Sequence, residues 1–279
     1  MYSVIVPVYN EEKSLSDTIS RIKLVMKGYD HEIICINDCS TDNSKEILSN
    51  TEGIILINNN SNKGYGGSLK KGFKIAKGDF FIITDADGTY PIEDIPNLIK
   101  HTDKYDMVIG SRTGKNVHVP FSKKVAKEFL KLFARIITGQ KIPDLNSGLR
   151  VFKRELAEEF YNLFPDGFSL TTTITISSIL SGYDVKFIPI NYYKRKGKSS
   201  IKARDFFKFI FLITRLAIFF KPLKIFLLPG LTLMLVGIII AIFQIMNSWN
   251  IGSSPLVFFL SGIQICIMAF LAELIIKMK

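Results

Sequence analysis

Over its first ninety residues the chain alternates unbroken apolar runs with amphipathic stretches. Ser3-Val4-Ile5-Val6-Pro7-Val8 is apolar at nearly every position, as strands buried on both faces are. Leu15, Ile19, Ile22 and Met26 then recur at helical spacing, and Lys27-Gly28-Tyr29-Asp30 closes that helix. Asn10 is placed to cap it, with Glu11 and Glu12 in its first turn. The run from His31 to Asn37 predicts a second strand ending on Asp38, and Ser40-Thr41-Asp42 opens a second helix. Gly53 to Ile57 predicts a third strand. Gly64-Tyr65-Gly66-Gly67 leads into a helix through Ile75, and Phe80-Phe81-Ile82-Ile83 is a fourth strand. Strand and helix in alternation predict an α/β fold, a parallel sheet wrapped by helices on both sides.

The later pattern is less regular. A helix from Ile92 to Lys100 is entered at Pro91, and a strand from Asp106 to Gly110 ends at Ser111-Arg112. Lys123 to Thr138 predicts a longer helix, and 143–148 a loop. Leu149 to Phe152 follows as a strand, then helices at Leu156–Phe164 and Thr171–Leu180. Val185 to Tyr193 predicts a closing strand pair around Pro189.

Beyond residue 200 the pattern changes class. From Arg204 to Lys221, phenylalanines and aliphatics are interrupted by Lys208 and Arg215, the pattern of a helix lying in a bilayer interface. No charged residue occurs from Ile225 to Ala272. Ile225–Met246 and Ile251–Ile276 are each long enough to span a hydrocarbon core, which takes about 20 residues. Trp249 lies in the turn between them and suits an interface. The predicted organisation is therefore a domain over 1–200, a basic juxtamembrane helix over 201–224 and a two-span anchor over 225–276.

Charge sharpens this picture. The formal net charge is +11, and ten Lys or Arg against Asp205 alone fall between Lys194 and Lys224. A basic run beside an apolar block argues for anionic lipid headgroups and against nucleic acid. That run and the lysines Lys277 and Lys279 belong in the cytoplasm by the positive-inside rule, which puts the domain and both termini there. The spans lack internal charge, which argues against a transporter. Gly237 and Ala241 could pack a span against a second copy, the one hint of a homo-oligomer. Met1-Tyr2-Ser3 runs straight into a strand, so no signal peptide is expected. Cys35, Cys39 and Cys266 are too few for a disulfide framework and have no partners for a zinc site, so they read as reduced thiols.

The candidate chemistry sits at strand ends. Tyr9-Asn10-Glu11, Asp38, and Asp85 with Asp87 each follow an apolar strand, and in open α/β sheets ligands bind beyond those ends. Asp85 and Asp87, one residue apart before Gly88, can approach one cation, and hard carboxylate oxygens suit Mg²⁺ or Mn²⁺ held with substrate phosphates. Gly64-Tyr65-Gly66 has two glycines of the dinucleotide fingerprint, but Leu69 stands at the third, and no phosphate-binding lysine loop is present. The histidines, His31, His101 and His118, lie in no motif.

In order and spacing, Val4 to Glu11, Asn37 to Asp42 and Asp85-Ala86-Asp87-Gly88 resemble the nucleotide-sugar domain of family 2 glycosyltransferases, which have the GT-A Rossmann-like fold. Gly110-Ser111-Arg112, Asp144 with Ser147-Gly148, and Arg195-x-Gly197-x-Ser199, with the apolar tail, resemble its polyprenyl-phosphate branch. The resemblance implies that Pro7, Tyr9, Glu11 and Asp38 contact the donor's base and ribose, and that Asp85 and Asp87 hold the metal on its diphosphate. It implies Arg112 at the acceptor phosphate, Asp144 and Ser147 near the sugar or that phosphate, and Arg195 and Ser199 closing over the donor; Arg112 suits a bidentate grip on phosphate, with Lys123 or Lys124 as a point charge nearby. Thr89 stands where many mannose synthases have Gln.

The expected activity is inverting transfer of one sugar, from GDP-mannose or a UDP-hexose, to a polyprenyl phosphate at the cytoplasmic membrane face. A phosphate monoester with a second pKa near ~6 is mostly dianionic at neutral pH and attacks without a strong base. Two alternatives stand beside this: a glycosyltransferase acting on a hydroxyl acceptor, and a non-catalytic membrane adaptor of the same fold.

Overall fold

The structure is a computed structural model that describes residues 1–114, 121–167, 169–193, 205–248 and 252–278. It divides into two compact units, Met1–Ile213 and Thr214–Lys279. Among the described residues the first unit contains β1 (Tyr2–Val8), α1 (Leu15–Met26), β2 (His31–Asn37), α2 (Ser44–Ser49), β3 (Ile55–Asn58), α3 (Gly64–Ile75), β4 (Phe80–Ile83) and α4 (Ile95–Ile99). It continues with β5 (Met107–Ser111), α5 (Phe121–Thr138), β6 (Arg150–Lys153), α6 (Arg154–Glu159), α7 (Leu170–Leu180) and β7 (Val185–Pro189). Three further helices follow: α8 (Asp205–Phe220), which crosses the unit boundary, then α9 (Pro222–Ser248) and α10 (Ser253–Lys277).

The strands form one sheet in the order β3-β2-β1-β4-β6-β5-β7. On one face Val4, Val6 and Val8 of β1 join Leu15, Ile19, Ile22 and Met26 of α1 in the core. On the other, Gly72 of α3 lies so close that an added Cβ would stand 2.5 Å from Cγ2 of Ile5. Strand side chains alternate faces, so a run apolar at every position is what a strand covered twice requires. Each fully buried aliphatic side chain contributes roughly 1.5–3 kcal/mol.

The sheet is not wholly parallel. β1 is parallel to β2 and β4, and β5 to β7, but β6 runs antiparallel to both β4 and β5, with Arg150 opposite Ile83 and Ile109. Three further expectations are corrected. Asn10 does not cap α1: it takes φ of +56°, and its Oδ1 accepts the Thr41 N–H at 2.7 Å, so the helix begins only at Leu15. The second helix starts at Ser44, where Asp42 Oδ1 accepts the Ser44 N–H. The closing strand pair is one regular strand, β7; beyond Pro189 the pairing thins to single bonds, from the Ile190 N–H to the Ser111 carbonyl at 2.8 Å and from the Tyr193 N–H to the Thr89 carbonyl at 2.9 Å.

In the second unit α9 and α10 pack closely. An added Cβ on Gly230 would meet the Cys266 sulfur at 2.6 Å, and one on Gly262 would meet Met234 at 2.5 Å. Gly237 faces Pro255 and Phe259 of α10 in the same chain. Segments Pro222–Asn247 and Ser253–Ile276 are long and apolar enough to cross a membrane, and only 11% of each one's most apolar stretch is buried.

Candidate functional site

Parallel strands end on one edge, so the turns after β1, β2 and β4 meet there. They wall a cleft of about 320 Å³ that Pro7, Tyr9, Glu11, Asp38, Asp85 and Asp87 all line. Because β6 runs the other way, its beginning lies at this edge, and the 143–149 loop arrives beside the end of β5.

The carboxylates of the β4 turn are held from several sides. Ser14 of the turn before α1 donates to the Ala86 carbonyl at 2.9 Å. Asp87 is buried, and its Oδ1 accepts the Thr89 N–H at 3.0 Å and the Thr89 hydroxyl at 2.6 Å. Asp85 rests against Gly148: a Cβ there would lie 2.8 Å from Asp85 Oδ1. Gly148 donates its N–H to the Tyr90 hydroxyl at 2.6 Å. The Tyr65 side chain is part-buried with its phenol oxygen sealed from solvent; burial, then the charge of Asp85, push its pKa well above the usual tyrosine value, so it stays protonated.

Asp38 is engaged with the protein itself. Its Oδ1 accepts from Asn59 Nδ2 and the Lys63 N–H, both at 2.8 Å, and its Oδ2 accepts the Gly64 N–H at 2.9 Å. This fixes the start of α3, which carries Tyr65 into the cleft. Gly66 is seated against the 165–167 loop, where a Cβ would stand 2.1 Å from the Pro165 carbonyl oxygen. The glycines that imitate a dinucleotide fingerprint thus serve close backbone packing.

A second cluster adjoins the first through Tyr90 and Gly148. Arg112 forks onto the fully buried Asp144, Nε to Oδ2 at 2.7 Å and Nη2 to Oδ1 at 2.8 Å. Burial works to lower the Arg112 pKa, but Tyr90 and Asp144 override it and hold it well above the ordinary value. The Tyr192 ring lies 5.1 Å from the guanidinium carbon. Ser147, expected at a phosphate, is sealed from solvent and gives its hydroxyl to the Gly110 carbonyl, which steadies the turn into Arg112. Lys124 lies on α5, with its side chain outside the described residues; Arg195 and Ser199 also lie outside them.

Arg150 has no place in the sequence reading. It is wholly buried, and its guanidinium donates to the carbonyls of Ser147 and Thr171 and to the Thr175 hydroxyl. Burial brings its pKa down to about 10, against the pull of Tyr65, Tyr90 and Asp144. A lone cation in the apolar run Leu149-Arg150-Val151-Phe152 was the available signal, since unpaired arginines are almost never fully buried. Tyr65 and Tyr90 carry no such signal, and Gly148 entered only within the Ser147-Gly148 motif.

The family model described as Glycosyl transferase family 2 matches residues 3–161, and the chain belongs to that family. It is 33% identical over 224 residues to a dolichol-phosphate mannosyltransferase of Pyrococcus furiosus, covering 77% of this chain and 63% of that protein. It is 26% identical over 245 residues to the low-salt glycan biosynthesis hexosyltransferase Agl6 of Haloferax volcanii, covering 85% of this chain and 58% of that protein. The chain thus spans about three fifths of the length of these two relatives. The crystal structure of glucosyl-3-phosphoglycerate synthase from Mycobacterium tuberculosis with Mn²⁺, UDP and phosphoglyceric acid superposes with a TM-score of 0.64 at 16% identity, over 78% of each chain. The fold is accordingly the GT-A mixed sheet.

Proposed function

We propose that this protein transfers a single sugar from a nucleotide sugar to a polyprenyl phosphate at a membrane, with inversion at the anomeric carbon. The observation that carries this reading is the strand-edge cleft, which gathers Tyr9, Glu11, Asp85 and Asp87 in a chain that also has two helices of membrane-crossing length. The name of the Pyrococcus relative supports the lipid acceptor.

Pro7, Tyr9, Glu11 and Asp38 form the wall against which the nucleoside would lie. Two carboxylates in an open cleft, with no third His, Cys, Asp or Glu grouped with them among the described residues, fit a Mg²⁺ or Mn²⁺ that takes its other ligands from phosphate and water. When bound, that ion neutralises the diphosphate as the sugar leaves it. Thr89 orients Asp87, while Tyr65 and Gly148 orient Asp85. Arg112, aligned by Asp144, presents its remaining donors to the acceptor phosphate, with Lys124 as a further charge. Arg195 and Ser199 close over the donor in this reading. Asp144 has both oxygens on Arg112, which suits an acceptor that needs no general base.

The test is transfer of radiolabelled sugar from GDP-mannose and a panel of UDP-hexoses to polyprenyl phosphate, with Mg²⁺ or Mn²⁺ and with chelator. Wild type is expected to form a charged glycolipid only with metal, and Asp87→Ala to form at least about a hundredfold less. Absence of product from every donor, in membranes where the protein is folded, would overturn the reading.

A further inference from the structure

The chain beyond β7 passes between the two clusters of the site. Tyr193 donates its N–H to the Thr89 carbonyl at 2.9 Å, which pins this stretch to the turn after β4. Tyr192 shares a hydrogen bond with the Thr89 side chain. Thr89 is fully buried and gives both its N–H and its hydroxyl to Asp87 Oδ1. The Tyr192 hydroxyl is therefore one residue removed from the Asp87 carboxylate.

The ring of Tyr192 meets the other cluster. It lies 5.1 Å from the guanidinium carbon of Arg112 and packs edge-on against Tyr90, with centroids 5.2 Å apart and planes at 69°. Asp144 takes Nε and Nη2 of Arg112, so a carboxylate fixes one edge of the guanidinium while the ring covers one face. The two N–H donors on Nη1 stand outside that fork. A guanidinium held at an edge and a face is aimed before its ligand arrives, which lowers the cost of ordering it on binding.

We propose that Tyr192 is a positioning residue for both halves of the reaction: its hydroxyl steadies Asp87 through Thr89 for the divalent cation, and its ring steadies Arg112 for the acceptor phosphate. The proposal rests on the reading of Asp87 as a metal ligand and Arg112 as a phosphate ligand. Phenylalanine at 192 keeps the ring and loses the hydroxyl, and leucine loses both, so two substitutions separate the two roles.

The test uses the full chain in detergent and measures binding alone. Mn²⁺ is titrated by electron paramagnetic resonance with UDP or GDP present, and farnesyl phosphate by calorimetry with farnesol as the uncharged control. Tyr192→Phe is expected to bind farnesyl phosphate within about twofold of wild type while its Mn²⁺ dissociation constant rises several-fold. Tyr192→Leu should show the same change for Mn²⁺ and bind farnesyl phosphate about tenfold more weakly, the size of a partly buried cation–π contact. In an Arg112→Gln background the leucine substitution should cost farnesyl phosphate nothing further, since the ring acts through Arg112. Unchanged binding of both ligands in Tyr192→Leu would overturn the proposal. So would equal weakening of both ligands in the two single variants, which is what mere packing gives. Wild type that binds Mn²⁺ with nucleotide but no farnesyl phosphate would overturn the acceptor reading, and the ring's part with it.

Discussion

At the scale of the residue, the site depends on atoms that are missing as much as on those present. Gly148 leaves room for the Asp85 carboxylate, and an alanine there would put a methyl group 2.8 Å from Oδ1. Gly148→Ala is expected to lower kcat by about a hundredfold, as a displacement of about 1 Å does, with little change in thermal unfolding; transfer rates beside a melting curve check it. Another residue-level prediction concerns acid. Arg21 forks onto Glu93 with Nε–Oε1 and Nη2–Oε2 distances of 2.7 Å, and this hydrogen bonding holds the Glu93 carboxyl below its ordinary value of 4.5. The unfolded chain then binds more protons in acid, so this contribution is whole above pH 4.5 and disappears as pH falls through the lower folded value. Glu93→Gln should flatten the acid limb of a stability–pH profile; an unchanged limb would dismiss the pair as a contributor.

At the scale of the element, Asp38 is the peg on which α3 hangs. Asp38→Ala takes the acceptor from the Lys63 N–H and leaves the Gly64 N–H with Asn62 Oδ1 alone, and should cost about 1–3 kcal/mol, with Asp38→Asn recovering part of it. Denaturant titration in detergent measures this, and donor binding should weaken in parallel. The same scale shows what was legible in the sequence. β1, β2 and β4 were readable because an apolar run of strand length admits few other solutions, and their polar ends converged because parallel strands end together. The direction of β6 was hidden, since so short a run reads alike in either sense and its orientation is set by the edges of β4 and β5. Asn10 shows the limit of local rules: its side chain chose Thr41, 31 residues away, over the helix beside it. Arg112 and Asp144 were both legible as polar candidates, but their mutual pairing across 32 residues was not.

At the scale of the whole molecule, the proposed topology has α9 and α10 cross the membrane in succession and return the chain to the side it left. The expected topology places Ser254, at the start of α10, on the face opposite Lys100. Single cysteines at these positions in sealed vesicles should react oppositely with a membrane-impermeant maleimide, and labelling from the same side would contradict two spans. The antiparallel β6 has a consequence in time. The partner of β4 on one edge, β1, precedes it in the chain, but the partner on its other edge, Arg150–Lys153, is synthesised about seventy residues later. Until then Phe80-Phe81-Ile82-Ile83 presents an apolar edge open to any passing strand. Gly148, the backstop of Asp85, reaches its place in the same event. The nucleotide half of the cleft is thus synthesised early yet completed late, and the segment that seals it must arrive before α9 and α10 are made.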